Sequence, residues 1–192
     1  RLSGAFVSAS SDHTFNLSAN LAHGLDIFGA RISDPDTELG FNKLNASSTY
    51  ERTWASRFIG RLHVTGQYSR DRLPAAELLS FGGAVIGRAF DTGIVTGDRG
   101  IGGFAELAVR PIKAGNFAQS EAYLFGDAAR LTIEERILSP QTSFDLASAG
   151  AGVRARYKDR VQLGVEAAAV LDEPYAGYDD DWRLSFYYSL AF

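Results

Sequence analysis

Nine stretches of the chain alternate polar and apolar residues with a period of two, the pattern of strands that have two different faces. The clearest stretch is 182–192, where every second residue is apolar, six in all. Aromatic residues stand at both ends of this series. Its apolar positions are Trp182, Leu184, Phe186, Tyr188, Leu190 and Phe192. Such a stripe is typical of a lipid-facing strand with aromatic girdles, and Phe186, Tyr188 and Phe192 form a C-terminal barrel signature.

The other predicted strands cover residues 2–10, 15–21, 43–51, 57–68, 101–110, 119–131, 147–157 and 161–171. In several of them the polar face carries more charge than the core of a soluble sandwich accepts. We therefore predict an all-β fold, a transmembrane antiparallel β-barrel whose polar faces line a pore. The predicted lining residues are Arg57, Arg61, His63, Glu106, Arg110, Arg154, Arg156, Glu166 and Arg183.

The connections between these strands support the barrel. They run nearly alternately short and long, as do the periplasmic turns and external loops of outer-membrane barrels. Nine strands place the two chain ends on opposite sides, whereas bacterial single-chain barrels have even numbers of strands. The chain also contains no Met. We therefore expect residues 1–192 to be the C-terminal part of one barrel domain, with upstream strands and periplasmic domains absent from this sequence.

One connection, Leu73 to Gly100, is much longer than the rest and is expected to have a function. It has no sustained helical or strand periodicity, yet it carries too much apolar surface to remain solvated. Its glycine pair Gly82-Gly83 permits sharp turns. Arg88 is the charged residue at its centre, and an enclosed guanidinium requires a carboxylate partner.

Composition and motifs exclude several other functions. The chain has no Cys and a net charge of −4, and it shows no basic cluster for nucleic acid. No apolar run is long enough for a transmembrane helix. The three histidines lack ligand spacing, and no Gly-x-Ser-x-Gly elbow is present, so we expect no metal, no cofactor and no enzymatic activity.

Several motifs in their order resemble a known family. They are the run GQYSRDRLPAAELLSFGG, then Gly87-Arg88-Ala89-Phe90, then Gly97-Asp98-Arg99-Gly100, and Phe125-Gly126-Asp127. From about Phe41 to Phe192 the chain resembles the haemolysin secretion/activation proteins, the outer-membrane transporters of two-partner secretion. In that family the loop carries a Val-Arg-Gly-Phe or Val-Arg-Gly-Tyr tetrad. Here Gly87 and Ala89 replace the first and third residues.

The resemblance implies a mechanism. The chain would supply the last nine strands of a sixteen-stranded barrel in the bacterial outer membrane, with loop 73–100 folded into the lumen. Arg88, Gly87 and Phe90 would form a loop latch with Asp127, which pairs with the loop arginine in the family; Arg110 or Arg154 are alternative partners. The implied partners are a secreted adhesin or haemolysin, outer-membrane lipid, and the barrel assembly machinery acting on the C-terminal strand.

Two other functions remain open at the level of sequence. The related BamA-like proteins assemble other outer-membrane proteins, and they carry more periplasmic domains than the secretion proteins do. A barrel can also be the membrane anchor of a fused enzyme. The loop and the order of the motifs favour the translocator, which would be gated by residues 73–100.

Overall fold

A computed structural model describes residues 1–25, 36–110, 117–157 and 160–190. The nine stretches predicted from the sequence are all strands, and two short strands lie within the long loop. The strands are β1 Leu2–Ala9, β2 His13–His23, β3 Asn42–Trp54, β4 Phe58–Tyr68, β5 Leu79–Phe81, β6 Val95–Gly97, β7 Arg99–Val109, β8 Phe117–Ile133, β9 Thr142–Tyr157, β10 Val161–Asp172 and β11 Trp182–Leu190.

Nine of these strands form one antiparallel sheet in the order β1-β2-β3-β4-β7-β8-β9-β10-β11. Each strand therefore pairs with its neighbours along the chain, apart from the jump over the long loop. The sheet is open, because β1 and β11 lie at its two edges and do not pair with each other. Local pairing of this kind follows from strands joined directly by turns. The predicted antiparallel all-β fold is confirmed in this form.

One face of the sheet, here called the outer face, is apolar and uncovered. Its residues are the apolar set of each alternating strand, so they stand side by side across the pairs of strands. Several are more than half exposed: Leu62, Ile101, Leu107, Leu124, Val153, Leu163, Phe186 and Tyr188. A continuous apolar surface of this extent is expected to contact lipid or another protein.

The opposite face, here called the inner face, carries charged side chains, rings and glycines. Three rings lie over glycines on the neighbouring strand: a Cβ at Gly164 would stand 1.9 Å from the Tyr187 ring, and one at Gly152 would stand 2.4 Å from the Tyr123 ring. The Phe125 ring covers Gly150 in the same way. In each case ring and glycine are direct cross-strand partners. Only glycine leaves room for a ring in that position.

The long loop differs from its prediction in two respects. Residues 69–98 lie between β4 and β7, and Arg99 and Gly100 already belong to β7. The loop is also not without regular structure: it contains a 3-10 helix at Ala75–Glu77 and the two-stranded β5–β6 ribbon. Segments of three residues are too short to produce a detectable period, which is why the sequence pattern missed them.

Two further predictions need comment. The sequence pattern predicts Arg57 on the polar face of the fourth strand, but Arg57 lies in the turn 55–57 that precedes β4, because β3 continues to Trp54. Phe192 of the C-terminal signature lies outside the described residues, whereas Phe186 and Tyr188 stand on the outer face of β11. Among the described residues, no helix has the length and apolar character needed to cross a membrane.

The exposed outer face leads to a test. Leu124 lies in the middle of β8 and is 64% exposed. The substitution Leu124→Arg should lower the free energy of unfolding by about 2 to 4 kcal/mol, because a lipid-facing guanidinium would lie at the bilayer centre. The measurement is a denaturant titration of the full-length protein in phospholipid vesicles. Leu138→Arg, in the β8–β9 loop, is the control and should change little. Equal effects at the two sites would contradict a lipid-facing surface.

Candidate functional site

The tip of the long loop packs against the inner face of the sheet. Phe90 is fully buried, and Phe81 and Ile86 are at most 5% exposed. They join one apolar cluster with residues of β8 and β9, including Phe125 and Leu146. The loop tip therefore has a core of its own, which agrees with the expectation that its apolar residues are not left solvated.

Asp127 on β8 holds the tip through the main chain. Its carboxylate accepts hydrogen bonds from the backbone N–H of Gly87 at 2.7 Å and of Arg88 at 3.4 Å. Ser148 on β9 donates its hydroxyl to the same carboxylate at 2.8 Å, and its Oγ accepts the N–H of Ala89 at 3.4 Å. Three consecutive amides of the tip are thus bonded to two buried side chains. Hydrogen bonds to a charged acceptor are stronger than neutral ones.

Gly87 makes this arrangement possible. Its φ of +79° lies in the left-handed region, and a Cβ there would approach Gly82 Cα to 3.0 Å. The turn is closed by Phe90 N–H donating to the Gly87 carbonyl at 2.9 Å. Ala89, in contrast, has no positive φ. The position that needs glycine in this tip is therefore 87, and an alanine fits at 89.

The Arg88 side chain does not pair with Asp127, contrary to the pairing that the resemblance implied. Its Nη1 lies 3.0 Å from Glu166 and 3.3 Å from Glu106. The guanidinium stands between two rings, 4.8 Å from the centroid of Phe104 and 4.2 Å from that of Phe125. The tip amides occupy the Asp127 carboxylate, so the side chain extends along the sheet to the next carboxylates. Arg88 and Asp127 are neighbours, but they are bonded through the main chain.

Beneath Arg88 the inner face carries a charge network. Arg61 contacts Glu51, Glu106 and Glu121, and Arg154 contacts Glu106 and Glu121. Arg110 joins it through Glu121 at 3.1 Å, which excludes it and Arg154 as the partners of Asp127 in this structure. The network members are Arg61, Arg88, Arg110, Arg154, Glu51, Glu106, Glu121 and Glu166. Opposite charges balance in it, so each buried ion has a partner.

Glu121 is a member that the sequence prediction missed. Its side chain is only 5% exposed, and it contacts Arg61, Arg110 and Arg154. The signal was available in the sequence, because Glu121 stands six positions before Asp127 on the same strand and therefore on the same face. Its strand alternates less cleanly than the others, and this concealed the residue.

The remaining predicted lining residues lie at different parts of the site. His63 is hydrogen-bonded to Thr49 at 2.9 Å on the inner face, and Arg156 lies beside the network on β9. Arg57 is in a turn, and its carbonyl accepts the N–H of Arg110. A cavity of about 270 Å³ adjoins the network at the short-turn end of the sheet. Its lining residues are Arg61, Arg110, Glu121, Arg154, Ala155, Arg156 and Gln162.

A further contact holds the tip from the far edge of the sheet. Arg183 on β11 donates to the Phe90 carbonyl and lies 3.0 Å from Asp91. Tyr178, in the loop between β10 and β11, places its ring 5.4 Å from that of Phe90. Burial, reinforced by Asp180 and Asp91, raises the pKa of the Tyr178 hydroxyl, which therefore stays neutral. The tip thus contacts side chains of β7, β8, β9, β10 and β11.

In the described parts of the chain, no group of three or more His, Cys, Asp or Glu residues has the geometry of a metal site. The geometry instead defines an open antiparallel sheet with one apolar exposed face and a long loop bonded over its polar face. Residues 5–155 match the model of the haemolysin secretion/activation protein family ShlB/FhaC/HecB. The chain belongs to this family. The match begins earlier and ends earlier than the resemblance seen in the sequence.

Solved structures show the same fold. CdiB from Escherichia coli superimposes with a TM-score of 0.77 at 21% identity, over 97% of this chain and 35% of that one. CdiB from Acinetobacter baumannii gives a TM-score of 0.56 at 17% identity, over 97% of this chain and 40% of that one. The chain therefore spans little more than a third of these proteins. No curated protein sequence gives a significant match.

The left-handed backbone at Gly87 leads to a second test. Gly87→Ala should destabilise the closed position of the tip by about 1 to 2 kcal/mol, because alanine is strained in the left-handed region. The fraction of molecules with a detached tip should then rise about tenfold. Tryptic cleavage after the buried Arg88 should become faster by the same factor. Rates of cleavage at Arg88 in the folded full-length protein are the measurement. Gly126→Ala is the control, because its new Cβ would have no neighbour closer than 3.9 Å. Unchanged cleavage in Gly87→Ala would show that the tip does not depend on this turn.

Proposed function

We propose that this chain is the C-terminal part of the barrel of an outer-membrane transporter that secretes a large partner exoprotein. The observation that carries the proposal is the loop tip, bonded to Asp127 over the polar face of a sheet whose other face is apolar and exposed. In this proposal the nine strands are part of a closed sixteen-stranded barrel, and the inner face is the wall of its lumen. Family membership supports transport as the function, rather than catalysis.

The loop acts as the gate of the pore. Its tip is tied down by the amides of residues 87–89, by the Arg88 guanidinium and by Arg183. These contacts are directional and few, so they can be broken together when an exported chain displaces the tip. When the tip is displaced, Phe90 also leaves its apolar contacts, and the exported chain has to replace them. A latch of this composition holds a closed state without permanently blocking the lumen.

The charge network provides a path for the exported chain once the tip has moved. Arginines and glutamates alternate along the inner wall, and the cavity beside them is lined mostly by charged and polar groups. A wall of balanced charge keeps water and offers no large apolar patch, so an unfolded polypeptide can pass without binding tightly. The exported protein is proposed to be an adhesin or haemolysin, as in the family.

Two other contacts complete the proposal. The apolar outer face meets the lipid of the bacterial outer membrane. The C-terminal strand, with Phe186 and Tyr188 72% and 76% exposed, is recognised by the barrel assembly machinery during insertion. Neither the assembly of other outer-membrane proteins nor the anchoring of a fused enzyme has a specific observation in its favour.

The gate can be tested by planar-bilayer conductance of the full-length gene product together with secretion of the exoprotein encoded next to it. Arg88→Ala leaves Glu166 without its arginine, and Asp127→Ala leaves two tip amides without an acceptor. Since breaking a buried charged contact costs about 3 to 5 kcal/mol, the open probability should rise by more than tenfold in both variants. Secretion should differ from that of the wild type in both, because the tip no longer has its closed position.

Arg130→Ala is the matched control, because Arg130 lies three residues after Asp127 on β8 but is 66% exposed and forms a long ion pair with the half-exposed Asp145, 3.6 Å away. It should secrete and conduct like the wild type. If the Arg88 and Asp127 variants also behave like the wild type, the loop is a surface feature and the gate is refuted.

A further inference from the structure

The base of the long loop, like its tip, is held by buried polar contacts. The function proposed above does not use these contacts. Its central residue is Asp98, which is fully buried at the junction of β6 and β7. A buried carboxylate is costly unless it is fully hydrogen-bonded. Asp98 meets this condition with partners from two separate segments of the chain.

The partners of Asp98 connect the two ends of the loop to the next external connection. Its carboxylate accepts the N–H of Leu73, at the start of the loop, at 2.7 Å. It also accepts the N–H of Glu134 at 2.7 Å and receives two bonds from Arg136, at 2.9 and 3.1 Å. Glu134 and Arg136 belong to the β8–β9 connection. One carboxylate therefore closes the loop at its base and fixes this base to a different connection.

A second set of buried contacts holds the same base. Lys43, only 8% exposed, lies 2.8 Å from the Glu77 carboxylate and donates to the Glu77 carbonyl at 2.9 Å. The Gln67 side chain donates both to the Glu77 carbonyl and to the Asp98 carbonyl, each at 3.0 Å. Gln67 thus bridges the two legs of the loop. We define the base clamp as Lys43, Gln67, Glu77, Asp98 and Arg136.

The base clamp and the tip latch share no residue. The clamp is bonded to β3, β4, the end of β8 and the β8–β9 connection, and the tip is bonded to side chains of β7, β8, β9, β10 and β11. Between them lies the β5–β6 ribbon, a two-stranded lever of three residue pairs. Two sets of contacts that share no residue can be released one at a time.

We propose that Asp98 is the positioning residue of a fixed pivot. The loop tip moves about this pivot, while the base of the loop stays bonded to β3, β4 and the β8–β9 connection. This inference rests on the gating function proposed above. It adds that opening is a hinge motion of residues 79–97, and that the loop never leaves the sheet as a whole. The position of the base is set by Asp98, and the closed position of the tip is set by Asp127 and Arg88.

Spin labels at the two ends of the lever test the pivot. Single cysteines are introduced as Ala76→Cys at the base and Val85→Cys at the tip; both positions are exposed, and the chain has no cysteine of its own. The labelled full-length protein is measured in liposomes by continuous-wave electron paramagnetic resonance. Asp127→Ala should raise the mobile fraction at position 85 about tenfold and leave position 76 unchanged. Asp98→Ala should do the reverse.

Asp145→Ala is the control for Asp98→Ala, because Asp145 is 46% exposed and its ion pair with Arg130 is long, at 3.6 Å. It should mobilise neither label. If Asp98→Ala prevents folding, judged by heat-modifiable migration on gels, Asp98→Asn is used; it keeps the shape and one acceptor oxygen, and it should mobilise position 76 selectively but less.

Two results would overturn the pivot. One is a mobile label at both positions in Asp127→Ala, which would mean that the loop is released as a single body. The other is an immobile label at position 76 in the Asp98 variants, which would mean that Asp98 does not hold the base. Neither measurement depends on secretion, so the pivot can fail while the transporter function stands, and the reverse.

Discussion

The arrangement of the inner face depends on one carboxylate that accepts main-chain amides. Asp127 bonds the N–H groups of Gly87 and Arg88, and this orients the whole tip. Because the amides occupy the carboxylate, the Arg88 side chain is directed away from it and onto Glu106 and Glu166. The arginine therefore becomes the link between the loop and the charge network. The amide contacts thus hold the main chain from which the Arg88 guanidinium and, two residues later, the buried ring of Phe90 extend.

The energetic logic of the network follows from that placement. Each arginine of the charge network contacts two or more carboxylates, or shares its carboxylate with another arginine, so every ion in the network has a partner. Glu106, for example, forms ion pairs with Arg61, Arg88 and Arg154. Removing one side chain leaves the charges of its partners unbalanced. The effects of two substitutions in the network on the free energy of unfolding should therefore not be additive. The loop, through Arg88, is one of the members.

Much of the fold could be predicted from the sequence because strand parity is a local property. The period of two predicts Glu106, Arg154 and Glu166 on one face and Leu184 and Phe186 on the other, and the sheet has this division. The partner of Arg88 could not be predicted in this way. It depends on how a loop with a left-handed turn at Gly87 presents its amides, and parity carries no information about that.

The same limit explains the other differences. The base clamp joins Lys43, Glu77 and Arg136, which come from three connections or strands far apart in sequence, and no spacing rule relates them. The turn at 55–57 moved Arg57 off its expected strand because Ala55 and Ser56 adopt left-handed backbone, which their residue types do not signal. Sequence patterns thus give the faces of the sheet, while the folding of its longest loop decides the contacts.

The rings that lie over Gly150, Gly152 and Gly164 have a mechanical consequence. Sliding one strand past its neighbour by a residue pair would drive Tyr123, Phe125 or Tyr187 from a glycine onto a position that carries a side chain. Hydrogen bonds alone could re-form after such a slip, but the rings could not be accommodated. The β8–β9 and β10–β11 pairs are therefore resistant to shear, so the strands that support the tip keep their register while the loop contacts can change.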